Sequence, residues 1–188
     1  VLFRSDDMPM RKIVMSFLMI GFLFGEGNRY ISRNGFVSFF SKAPLEDIYA
    51  ENNNVSCLLD MNTGEVAFLI PIKKFRFEKS LMQEHFNENY MESDKYPNAT
   101  FQGKINQWES IRLVDSTSVS LSGLMKIHGV EKKINAFGTF QNIEGKISGS
   151  ASFEIELNDY GIQIPKILFH NIAERVQVEI SVKLREQN

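Results

Sequence analysis

From Lys146 to Leu157 the chain alternates without a break. Ile147, Gly149, Ala151, Phe153, Ile155 and Leu157 stand against Lys146, Ser148, Ser150, Ser152, Glu154 and Glu156. A second stretch does the same, with Val176, Val178, Ile180, Val182 and Leu184 set against Arg175, Gln177, Glu179, Ser181 and Lys183. A period of two puts every apolar residue on one face of a strand. One apolar and one wet face mean antiparallel sheet, because parallel sheets are covered on both sides.

Other segments extend the pattern. In Thr117 to Ile127, Val119, Leu121, Gly123, Met125 and Ile127 share one face; His128-Gly129 is a turn, and Val130 to Phe140 returns. Tyr30 to Ser41 is β-rich and aromatic, with Gly35 able to relieve a bend. Ala43 to Tyr49 reads as a short helical turn at most, and Asn52-Asn53-Asn54 as a loop. Val55 to Met61 is a strand, Asn62-Thr63-Gly64 a tight turn and Glu65 to Phe77 the returning strand. That last strand is apolar on both sides: Val66, Phe68, Ile70 and Ile72 on one, Ala67, Leu69, Pro71, Phe75 and Phe77 on the other. Pro71 fits a bulge or an edge. Short turns between such strands predict an all-β, up-and-down meander, which must close or fold over to hide its edges.

One insertion departs from this. Leu81, Met82, His85, Phe86 and Tyr90 lie on roughly one face of a short helix spanning about residues 81–90. Pro97 ends the following polar stretch and biases Tyr96 away from helix. Ala99 to Ile105 then resumes as a strand. The expectation is a lid or plug, with Leu81, Met82 and Phe86 closing one end of a barrel.

Length and charge narrow the functions. The 188 residues suit one domain, and a net charge of −2 gives no basic field for nucleic acid. The single cysteine, Cys57, allows no intramolecular disulfide and reads as a small buried residue. His85, His128 and His170 have no metal-ligand spacing, and no nucleophile elbow or Gly-rich phosphate loop occurs. Asp94 and Lys95 read as a solvated pair and His128 as a structural turn residue, so the chain is not expected to be an enzyme.

Met10-Arg11-Lys12, the apolar run Ile13 to Phe24 and the small residues of Gly25-Glu26-Gly27 form a signal-peptide pattern. The apolar run is shorter than the ~20 residues of a membrane span. Residues 1–27 are therefore expected to be a leader plus signal peptide (the signal about residues 10–27) and 28–188 the folded domain. No stable membrane span is expected after cleavage.

Inward-facing glycines at 123, 138 and 149, with Ala151, call for a reason, since glycine weakens a strand. Bending to close a barrel and room for a ligand against the backbone both supply one. A barrel of about eight strands either fills with side chains or holds one small ligand. Sixteen phenylalanines serve either purpose.

Three ordered motifs carry a resemblance: HFNENYMESDKYPNATFQGKI (His85 to Ile105), GLMKIHGVEKKI (Gly123 to Ile134) and FEIELNDYGI (Phe153 to Ile162). In this order they resemble the YceI-like proteins, over almost the whole body from about Tyr30 to Leu184. The resemblance implies a lipocalin-like β-barrel, periplasmic or secreted, that binds a polyisoprenoid or similar amphiphilic lipid inside. Asn158 stands where family members commonly carry an arginine, and the phenylalanines point to a shorter cavity and a shorter ligand. The candidate lining is Phe36, Phe39, Phe68, Ile70, Phe86 and Phe101, then Leu121, Met125, Phe140, Ala151, Phe153, Val178 and Ile180. The ligand would be a polyisoprenoid, an isoprenoid quinone-like molecule or a fatty acyl chain, with no other cofactor and no metal. A homodimer is compatible with this reading. The alternative is a filled barrel whose loops bind an envelope protein.

Overall fold

The computed structural model describes residues 28–42, 47–111, 116–143, 146–163 and 173–187; the signal-peptide pattern lies outside them. The strands are β1 (Arg29–Ser41), β2 (Ile48–Asp60), β3 (Glu65–Pro71), β4 (Arg76–Phe77), β5 (Asn98–Ile105), β6 (Thr117–Ile127), β7 (Val130–Ile143), β8 (Lys146–Glu156) and β9 (Arg175–Glu186). They run in the order β1-β9-β8-β7-β6-β5-β3-β2, and β2 pairs back onto β1, so an antiparallel sheet of eight strands closes into a barrel. The two-residue β4 pairs with the other end of β2, opposite Ala50 and Glu51. Between β4 and β5 a short α-helix, α1 (Ser80–His85), runs into a π-helical turn, Phe86–Tyr90. Among the described residues no helix is long and apolar enough to cross a membrane.

Three expected segments are corrected. Asn52-Asn53-Asn54 is strand, and Ile48 and Tyr49 belong to β2 as well. The Asn52 side chain is wholly buried: its Nδ2 donates to the Pro71 carbonyl at 2.9 Å, and its Oδ1 accepts from the Asn54 N–H at 2.8 Å. A polar residue that satisfies itself inside a sheet in this way has no loop signature beyond its composition. The Glu65–Phe77 strand is broken after Pro71 by a 3₁₀ turn, Ile72–Lys74. Proline lacks the donor that would continue the ladder, and the turn resets the phase of the chain. Leu69 thus points outward while Phe75 and Phe77 turn back inside, which explains a segment apolar on both faces.

The two barrel ends differ. One carries the β2–β3 turn and the 3₁₀ turn Trp108–Ser110 after β5. Asp60 accepts from the backbone N–H groups of Asn62 and Thr63, and Gly64 adopts φ +73°. Trp108 packs over Gly64 and donates its indole N–H to the Met61 carbonyl at 2.8 Å, closing this end. Near it Leu59 and Ile105 are fully buried. The other end carries the 72–97 insertion and the His128-Gly129 turn.

A Cβ on Gly64 would sit 2.5 Å from the Trp108 ring, at a φ that L side chains avoid. Gly64→Ala should therefore lower stability by more than about 1 kcal/mol. Urea denaturation would read this as a lower midpoint at unchanged m-value.

Candidate functional site

The barrel interior is hollow at the end bearing the insertion. An apolar chamber of about 500 Å³ is walled by Val37 of β1, Ile70 of β3, Ala99 of β5, Ile127 of β6, Ile155 of β8 and Val178 of β9. Its roof is aromatic. Phe39, Phe75, Phe77 and Phe86 form one cluster with ring centroids 5.0–5.8 Å apart. Met82 and His85 reach the chamber from one face of α1, and Phe86 from the start of the π turn. The wider π turn, in which the Met91 N–H bonds the Phe86 carbonyl at 2.9 Å, keeps Tyr90 and Met91 on the same side. Leu81, expected on this face, is 60 % exposed and faces away.

The polar lining lies at this end: Ser41, His85 and Tyr90. Ser41 accepts the Ala173 N–H through its Oγ at 3.1 Å. His85 is exposed although it lines the chamber, which places it at the mouth. Burial raises the Tyr90 hydroxyl above its ordinary range.

The predicted lining falls into three groups. Phe39, Ile70, Phe86 and Val178 face the chamber. Phe68, Phe101, Leu121, Met125, Phe140, Ala151, Phe153 and Ile180 form a layer below it, around a residual space of about 60 Å³. Phe36 belongs to neither. Pairing shifts around Gly35 insert a bulge into β1, so Val37 and Phe39 point in, and Phe36 points out beside Phe137 and Ser181. The alternation missed Phe75, Phe77 and Met91, because each follows a break in period. Ile155, Leu157 and Val176 continue readable stripes into the chamber.

The glycines serve neither of the two expected purposes alone. Gly103 and Gly123 face each other across β5 and β6, and the Phe101 ring lies over both. A Cβ at either would approach Phe101 Cζ within 2.6–2.7 Å. Gly149 accommodates the ring of its cross-strand partner Phe140 in the same way. These gaps are filled by the chain's own aromatic rings. Gly138 instead allows close approach to the Ser150 carbonyl.

The three sequence motifs meet at the mouth. His128, at φ +50°, faces the Tyr160 carbonyl with Nδ1 at 3.2 Å and a Glu92 carboxylate oxygen with Nε2 at 2.8 Å. Both facing groups are acceptors, so the ring donates to both only as the imidazolium. Tyr96 packs edge-on against His128 at 4.6 Å and covers Gly129. Asp94 pairs with Lys73 rather than with its neighbour Lys95, which lies over the Tyr96 ring and near Glu92. Asn158 is exposed and does not line the chamber. Cys57 is buried, and that burial pushes its thiol up to about 12. Among the described residues no cluster of His, Cys, Asp and Glu is suited to a metal.

A closed antiparallel barrel of eight strands, hollow at one end and capped by a short helix, is a lipocalin-like β-barrel. The chain belongs to the YceI-like domain family, whose model matches residues 34–184. A polyisoprenoid binding domain from Saccharophagus degradans, implicated in plant cell wall breakdown, has a similar structure (TM-score 0.73, 15% identity, 86% of this chain and 100% of that one). Burkholderia cenocepacia BcnA is also similar (TM-score 0.68, 14% identity, 80% and 96% covered). So is the YCEI protein of Campylobacter jejuni (TM-score 0.58, 17% identity, 74% and 84% covered). No curated protein matches the chain in sequence.

His128→Asn tests these contacts, because asparagine tolerates the left-handed backbone while the ring's contacts to Tyr160 and Glu92 are removed. We expect a loss of about 1–3 kcal/mol. Faster amide hydrogen exchange should accompany it in the connections that the ring joins, around Glu92 and Tyr160.

Proposed function

We propose that this protein is exported to the periplasm or secreted and holds an amphiphilic lipid, with the apolar chain inside the barrel and the polar end at the mouth. The candidate ligands are a polyisoprenoid, an isoprenoid quinone-like molecule or a fatty acyl chain, held in transport, storage or an envelope stress response. One observation carries the reading: an apolar chamber of about 500 Å³ inside a closed barrel. Pockets of this size and lining are the usual seats of small apolar ligands. An apolar chain laid in the chamber contributes about 0.8 kcal/mol per buried methylene. The polyisoprenoid-binding character of the Saccharophagus domain supports the same ligand class. Export rests on the basic and apolar pattern from Met10 to Gly27.

The reading is of a binding protein and not of an enzyme. The chamber volume weighs against the filled-barrel alternative.

Mass spectrometry of organic extracts from gently purified protein should find a single-headed amphiphile in stoichiometric amount. Fluorescent acyl or prenyl probes should bind the delipidated protein. Phe86→Ala, which removes three ring contacts from the roof, should weaken probe binding about tenfold (about 1.4 kcal/mol). An extract without lipid, together with no probe binding, would overturn the reading.

A further inference from the structure

The chamber stops partway down the barrel, and the change shows on five strands. On β3 the inward residue changes from Ile70 to Phe68, and on β5 from Ala99 to Phe101. On β6 it changes from Ile127 to Met125, on β8 from Ile155 to Phe153 and on β9 from Val178 to Ile180. Phe68, Phe101 and Met125 are direct cross-strand partners, so they form a continuous row. The Phe68 and Phe101 rings have centroids 6.4 Å apart.

Phe101 is held down by the backbone. Its ring occupies the space that side chains at Gly103 and Gly123 would need. Ala99, two residues earlier on the same strand, leaves open above it the room that Phe101 closes. Below the row only about 60 Å³ remains.

We infer that this row is a floor that measures the ligand, limiting the buried chain to about 16 carbons at roughly the volume of one water molecule, about 30 Å³, per methylene. The inference rests on the reading of the chamber as a lipid site. The ligand class is then a saturated or unsaturated acyl chain of that length, or a prenyl chain of about three isoprene units by the same count. A chain twice as long would leave its far half outside the barrel. The orientation follows from the lining: Ser41, His85 and Tyr90 lie at the mouth, whereas the floor is apolar. The polar end therefore stays at the mouth, and the tail reaches Phe101.

The test uses the delipidated protein and displacement of a fluorescent acyl probe by fatty acids and prenyl alcohols of about ten to twenty-four carbons. Affinity should rise about fourfold per methylene and level off near 16 carbons. Phe101→Ala should move the plateau to longer chains. Ala99→Leu, which adds bulk above the floor, should move it to shorter ones. Ala99→Leu decides the matter if Phe101→Ala does not fold. A wild-type affinity that climbs to the longest chain, or a plateau unmoved in Ala99→Leu, would overturn the floor while leaving lipid binding intact. Failure of every chain and of the probe to bind would overturn both.

Discussion

Closure of the sheet through β1 is the constraint on which the interior depends. β1 pairs with β2 on one side and β9 on the other, so the meander keeps no long free edge. Making both ladders requires a strong local bend, and the pairing shifts around Gly35 provide it. Only glycine fits there, since a Cβ would meet Val182 and Val55 at 2.8–3.1 Å. With eight strands the interior is at the size where side chains alone decide between a packed core and a cavity. The choice then falls to a few positions: alanine at 99 opens space, and phenylalanine at 101 closes it.

The strands with one wet face were legible because the period of two carries its own orientation. β6, β8 and β9 follow the alternation, and their inward residues are those the pattern assigns. The pattern failed where the chain changes phase. The bulge in β1 put Phe36 outside, and the 3₁₀ turn after Pro71 brought Phe75 and Phe77 inside. Gly35 and Pro71 mark the two places in the sequence, but neither says which way the chain changes phase after it. Asn52 was misread for a different reason: its polarity suggested a loop, whereas its amide is spent on the backbone around it. The candidate lining was mostly inward-facing, yet alternation says nothing about depth along the barrel. Eight of those residues lie in the layer below the chamber.

The motifs that carry the family resemblance are in part architectural. Tyr96 of the first, His128-Gly129 of the second and Tyr160 of the third meet outside the chamber, where they fasten three connections to one another. The left-handed backbone at His128 and Gly129 turns β6 into β7 tightly enough to bring the imidazole between Glu92 and Tyr160. What these motifs fix is the frame of the mouth. The same motifs also build the interior: Phe86 and Ala99 of the first, Ile127 of the second and Ile155 of the third line the chamber, and Phe101, Met125 and Phe153 lie in the layer below it.

The two ends of the barrel also differ in how they can open. At one end the indole N–H of Trp108 is bonded to the Met61 carbonyl, and its ring is seated on Gly64. Passage there would expose a buried aromatic residue and break the turn after β2. At the other end α1 and its π turn are held over the chamber by the packing of the Phe86 ring on Phe39, Phe75 and Phe77. Separating these costs about 2–4 kcal/mol, and no strand need leave the sheet. That is within the range of local openings that precede global unfolding. A chain entering at this end also meets Phe86, Met82 and Tyr90 directly, and so covers part of the apolar surface that the helix exposes as it lifts. The mouth is therefore the low-cost route, and the break at Pro71 that creates the insertion is what separates a movable roof from a fixed floor.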